Sequence, residues 1–144
     1  MTMTDQAPVR FDTKIVVAVR DDTAMWQRLN MTAFLTSGIA ARYPESTGDD
    51  YVDADGTKYL PMFGQPVLVF VAGKDDLARV FSRALDRDVT VSVFTRELFT
   101  TGHDAANRAA VAAVARAELD VTGLAFRADR RVADKITKGL RLHP

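Results

Sequence analysis

An α/β layer architecture is the fold class this sequence predicts, and three observations carry it. Two apolar runs of strand length, KIVVAV at 14–19 and PVLVFV at 66–71, are rich in β-branched residues and show little alternation, as strands buried on both faces do. Segments of helical periodicity lie between and after them, most clearly KDDLARVFSRALDRD at 74–88. Both kinds of element alternate within 144 residues, the length of one domain.

The elements follow in order. MTMTDQAPVRFDT, residues 1–13, is polar and reads as a loose leader, with a single α/β domain from 14 to 144. Ile15 to Val19 is the first strand, and Arg20, Asp21 and Asp22 stand at its carboxyl end. DDTAMWQRLNMTAFLTSGIAARYP then reads as a helix. Asp22 or Thr23 can cap it, Met25, Leu29 and Ala33 recur on one face, Trp26, Asn30 and Phe34 form the next stripe, and Pro44 stops it. YVDADGTKYLP predicts a β-hairpin around Asp53-Ala54-Asp55-Gly56. A calcium loop is the competing reading, but Tyr51 replaces the first carboxylate and Met62 the closing glutamate.

PVLVFVAG is the second buried strand. The helix after it points Leu77, Val80, Phe81, Ala84 and Leu85 inward. VTVSVFT alternates enough to sit near a sheet edge. An alanine-rich helix is expected from His103 to about Glu118, then a fourth strand, LDVTGLAFRA, and the closing VADKITKGLRLHP.

Composition bounds the function. Nineteen basic and nineteen acidic side chains cancel, so no global field draws the chain to nucleic acid or membrane. The absence of cysteine excludes disulfides, thiolate catalysis and cysteine zinc sites, and two histidines, His103 and His143, make a histidine metal site a poor expectation. No metal or other cofactor is expected. No apolar run reaches a membrane span, and the cytoplasm is the expected compartment. Neither G-x-G-x-x-G nor the P-loop string occurs.

Three constellations remain. At FTTGHDAANRAAV, residues 99–111, a helix start presents backbone N–H groups that favour an anion, and Thr100, Thr101, His103 and Arg108 can add donors. The alternative is that Thr101 or Asp104 merely caps the helix, with His103 solvated beside it. The second constellation is Arg20, Asp21 and Asp22 beyond a strand's carboxyl end, where open α/β sheets bind ligands, although caps and ion pairs are also common uses of such residues. Trp26 nearby can serve as a stacking platform or pack in the core. Thirdly, Arg127, Arg130, Arg131, Lys135, Lys138 and Arg141 can form a phosphate-binding stripe or a solvated face.

The order of these pieces resembles the DUF2000 family of uncharacterised, mostly bacterial proteins. KIVVAVRDD, WQRLNMTAFLTSGIA, YVDADGTKYLPM, QPVLVF, FTTGHDAANRAAVA and ADKITKGLRLH carry that resemblance from about Lys14 to His143. More distantly, KIVVAVRDD with Met25 in the next helix, and DKITKGLRL at 134–142, are similar to type 2 peptidyl-tRNA hydrolases. That resemblance implies a three-layer α/β/α fold around a small mixed sheet, with the hairpin and the alanine-rich helix as additions. The chain departs from the hydrolases where activity resides. Their first-helix lysine is replaced by Leu29 or Asn30, and their Asp-Ala-Gly-x-Thr segment by Phe94-Thr95-Arg96-Glu97-Leu98-Phe99-Thr100.

The leading expectation is a small anionic ligand held near Arg20, Asp22, Asn30, Thr100, Thr101, His103 and Arg108. Any hydrolysis would use Glu97 or His103 as base. The alternatives are RNA binding through the basic stripe, and a non-enzymatic homodimer formed by Ala106, Ala110, Ala113 and Val114.

Overall fold

The computed structural model describes residues 9–144 and shows a three-layer α/β/α fold. The central sheet has the order β5-β6-β1-β4-β7, built from β1 (Thr13–Arg20), β4 (Val67–Ala72), β5 (Ser92–Thr95), β6 (Val121–Asp129) and β7 (Arg141–Leu142). β1 pairs parallel with β4 and antiparallel with β6, so the sheet is mixed. β2 (Tyr51–Val52) and β3 (Lys58–Tyr59) form a separate two-stranded hairpin. Residues 1–8, most of the expected leader, lie outside the described residues.

One helix, α1 (Met25–Arg42), covers one face of the sheet. Two, α2 (Lys74–Asp86) and α4 (Arg130–Ile136), cover the other. Alternation along the central strands divides the core accordingly. Ile15, Val17 and Val19 meet Met31, Leu35 and Ile39 of α1, while Val16, Ala18 and Phe126 meet Leu77, Val80, Ala133 and Ile136. All five apolar residues of β1 are therefore buried. Gly123 sets the close approach of α1, because a Cβ there would stand 2.8 Å from Met31 Sδ.

The face of α1 differs from the expected one. Met31, Leu35 and Ile39 are buried, whereas Met25, Trp26, Leu29 and Phe34 are each more than half exposed, and Asn30 and Ala33 are exposed too. Both apolar stripes read from the sequence face outward, and Trp26 packs edge-on against Phe99 instead of entering the core. The helix is apolar on several sides, and periodicity alone does not choose among them. Its cap also differs. Ala24 occupies the cap position and donates its N–H to Gln27 Oε1 (2.9 Å), leaving Thr23 to bond the Arg20 carbonyl (2.7 Å).

The hairpin is a turn, as its sequence predicts. Asp53 Oδ1 accepts from the N–H groups of Asp55 and Thr57 at 2.9 and 3.0 Å, Asp53 Oδ2 accepts from Tyr59 Oη–H, and Gly56 adopts φ 83°. β4 is less buried than expected: only Val71 and Ala72 are buried, since β7 pairs with just Phe70 and Val71 on its outer edge. β5 lies at the sheet edge, as its alternation suggests. The alanine-rich helix, α3 (Asp104–Ala112), is only nine residues long, ends well before Glu118 and has no buried residue.

Candidate functional site

β1, β4 and β5 all run in one direction, since β6 is antiparallel to both β1 and β5. Their carboxyl ends therefore gather with the start of β6 and the N-terminus of α2, at the edge where α/β sheets take ligands. Arg20, only 4 % exposed, ends β1 there. Its Nε and Nη2 donate to Asp22 Oδ1 and Oδ2 at 3.0 and 2.6 Å, and its Nη1 donates to Asp120 Oδ1 (2.8 Å) and to the Val121 carbonyl (3.3 Å). Arg96, which follows β5, closes the cycle by donating to Asp120 Oδ2 (3.0 Å) and Asp22 Oδ2 (3.3 Å).

This is an alternating ring of two guanidinium and two carboxylate groups with no net charge. The hydrogen bond from Arg20 holds the Asp22 carboxyl below its ordinary value against the opposing effect of burial, with Arg96 assisting. At Asp120 burial pushes upward, but the bonds from Arg20 and Arg96 outweigh it and the net direction is down. Asp22 in turn raises the Arg20 guanidinium further. The chemistry follows. Four of the five guanidinium N–H groups of Arg20 are committed, and its two aspartates are ionised acceptors, unsuited to general acid or base work near neutral pH.

Beside the ring, on the α2 side of the sheet, lies a cavity of about 260 Å³. Phe81, Leu85 and Leu119 give it an apolar wall, and Arg20, Lys74 and Arg116 bring three cations against one acid, Asp120. Among the described residues neither Lys74 nor Arg116 is in an ion pair. Lys74 opens α2, whose cap residue Gly73 supplies no side chain, so the helix's first N–H groups lack a side-chain partner at this end.

Residues 13–144 match the sequence profile of a family described as a protein of unknown function, DUF2000. The chain belongs to the DUF2000 family. Among solved structures, this DUF2000 chain is similar to the protein of unknown function Atu0240 from Agrobacterium tumefaciens strain C58. The two share 47% identity at a TM-score of 0.91, over 94% of this chain and 100% of that one. No curated protein matches the chain. The family match runs from the first residue of β1 to the C-terminus, so it includes the ring, the crevice and α3.

The DUF2000 chain divides the residues expected to bind one ligand. Arg20 and Asp22 meet at the carboxyl edge, and of the expected set only Arg20 lines the crevice. Asn30 is exposed on the outer surface of α1. Thr100, Thr101, His103 and Arg108 cluster instead around the start of α3, where each side chain has a local partner. Thr100 Oγ1 donates to the Glu97 carbonyl (2.8 Å), Thr101 Oγ1 to the Leu98 carbonyl (3.1 Å) and to Asn107, and Arg108 pairs with Asp104 one turn away. The cap of α3 is neither Thr101 nor Asp104. It is His103, whose Nδ1 accepts the Ala106 N–H at 3.2 Å. Glu97 is exposed, in the 3₁₀ turn Arg96–Phe99.

The remaining constellation also divides. Arg127 leaves the basic stripe for the α1 side, bonding Glu45 (3.2 Å) and lying 5.1 Å from the Tyr43 ring centroid. Arg28 straps the C-terminus to the β1–α1 loop. It donates to the Asp21 and Thr23 carbonyls at 2.6 and 3.0 Å, and its Nη1 lies 3.1 Å from His143 Nε2. Sequence reasoning missed Lys74, Arg96, Arg116 and Asp120. Lys74 was within reach, because it follows the second parallel strand as Asp22 follows the first. The other three come together only through the antiparallel placement of β6 between β1 and β5.

Proposed function

We propose that this DUF2000 protein binds a small anion with an apolar body in the crevice at the carboxyl edge of the sheet. One observation carries the reading: Arg20, Lys74 and Arg116 line a cavity with an apolar wall, and its sole acid among the described residues, Asp120, is already neutralised by Arg20 and Arg96. A carboxylate or phosphate monoester meets the two cations that lack partners, while its body covers Phe81 and Leu85. Binding without chemistry is the better-supported role, since the ring aspartates are committed and Glu97 and His103 do not line the crevice. The replaced lysine and aspartate positions argue against peptidyl-tRNA hydrolysis.

Thermal unfolding with inorganic phosphate, aryl phosphates, acyl-amino acids and nucleotides tests this. A ligand at ten times its Kd adds about 1.4 kcal/mol, a rise of roughly 4–6 °C for a domain of this size. The rise is expected to persist in His103→Ala and to vanish in the double variant Lys74→Ala/Arg116→Ala. A panel without effect, or a rise that survives the double variant, overturns the reading.

A second reading, RNA binding, draws on the C-terminal segment. Arg130, Arg131, Lys135, Lys138 and Arg141 have no carboxylate partner among the described residues, and Arg131 and Lys135 stand one turn apart on α4. It requires tRNA affinity that falls with salt at a log–log slope of about −3 or steeper, as four or more phosphate contacts dictate. A flat slope removes it.

A further inference from the structure

On the opposite face of the sheet from the cationic crevice lies a larger cleft, of about 560 Å³, that shares no residue with it. Phe34 of α1, Phe94 of β5, Leu98 of the following 3₁₀ turn and Val111 of α3 form its walls. The volume falls within the range of small-molecule pockets, which are mostly apolar with a few polar groups at fixed places. Here those groups carry no net charge. Asp104 and Arg108 pair with each other, and Ser37, Ser92 and Asn107 are neutral.

The outer wall, α3, has no buried residue, and nine residues are too few to hold a helix together by propensity alone. The polar residues at its start hold it in place: His103 caps it, and Thr101 ties Asn107 to the Leu98 carbonyl. The cluster that looks like a ligand site in the sequence is thus the bracket that sets α3 at a distance from β5. Phe34 and Phe94 line the inner side with ring centroids 6.2 Å apart, and the aromatic series continues beyond the cleft through Phe94–Phe99 at 4.7 Å and Phe99–Trp26 at 6.0 Å.

We propose that this cleft is a second binding site, for a small uncharged molecule with an aromatic or branched aliphatic body. Such a molecule stacks on the exposed ring of Phe34 above the buried Phe94 and covers Val111, while an ionic ligand finds no unpaired charge among the lining residues to meet it. The proposal does not depend on the anion site.

Titration with N-phenyl-1-naphthylamine, an uncharged fluorescent probe, tests it. The chain has a single tryptophan, Trp26, at the end of the aromatic series, so energy transfer from it reports where the probe sits. Saturable one-to-one binding with matching loss of Trp26 emission is expected. Phe34→Glu and Ala112→Glu, both at exposed positions, should each weaken it at least tenfold. Lys74→Ala/Arg116→Ala should change it less than twofold. Absence of saturable binding, or binding indifferent to both glutamates, overturns the proposal. So does a parent dimer that Phe34→Glu converts to a monomer without any probe binding in the parent, because the cleft then belongs to a second copy.

Discussion

The carboxyl end of β1 and the start of α3 are written in similar residues: arginine, aspartate, a hydroxyl side chain and a helix start. At β1 the arginine is buried among core strands, so its own charge must be answered, and Arg20, Asp22, Arg96 and Asp120 close into a ring. At α3 the same types lie on an exposed helix outside the core, where His103, Thr101 and Asp104–Arg108 satisfy neighbours no more than six residues away. Burial makes the first cluster an architectural necessity. The second is local, and its removal is felt locally.

The ring is where the contrast breaks most visibly. Asp120→Ala leaves a buried guanidinium with one carboxylate fewer, a change that costs 3–5 kcal/mol in fully buried pairs. Asp120 is about a third exposed, which moderates the loss to about 2–3 kcal/mol, read as a lower urea midpoint at unchanged m-value. Replacing Arg20 and Asp120 together by Met and Leu should recover much of that loss, because no unpaired charge is then left.

Acid titration sharpens the same point. Asp22 and Asp120 have folded-state values below their unfolded ones, so their stabilisation is complete above the ordinary aspartate value near 4 and is lost as pH falls through the lower folded values. The parent is expected to lose more stability between pH 5 and pH 2 than Asp22→Asn does. Parallel pH profiles for the two proteins would show that Asp22 contributes nothing to acid stability.

This contrast also explains what could be read from the chain. The apolar run Ile15–Val19 announced a doubly buried strand, and the 74–88 pattern its helix, because burial on a sheet imposes periodicity that needs no partner to be seen. The buried face of α1 is not legible in the sequence, because Met25, Trp26, Leu29 and Phe34 are apolar yet exposed. Arg20 and Asp22 were legible as a strand-end pair, but Asp120 lies 100 residues away from Arg20 and only the antiparallel course of β6 brings it back. The TTGHD segment was legible as a helix start; that its histidine supplies the cap was not, since Asp and Thr are the commoner choices.

At α3 the expected effects are smaller. His103→Ala removes the Nδ1 bond to Ala106, worth about 1 kcal/mol by analogy with other caps. Because α3 buries nothing in the core, the loss should appear as faster amide exchange at residues 106–112 with little change in global unfolding. A comparable fall in global stability would show instead that α3 unfolds together with the sheet.

Ala110→Glu probes the alanine face as a homodimer surface, and here the smallest change in stability is expected. Ala106, Ala110 and Val114 are already half-buried within the single chain, Ala113 is the C-cap residue, and Val114 lies beyond the helix, so the face is shorter than a 103–118 helix would present. A stable interface needs roughly 800 Å² per partner with an apolar centre. A nine-residue helix reaches that only with help from neighbouring exposed groups, of which Phe34 across the cleft is one. If α3 mediates a dimer, sedimentation of the parent gives a concentration-dependent mass and Ala110→Glu gives the monomer at every concentration. An identical mass for both proteins removes the dimer reading and leaves α3 as the wall of the apolar cleft.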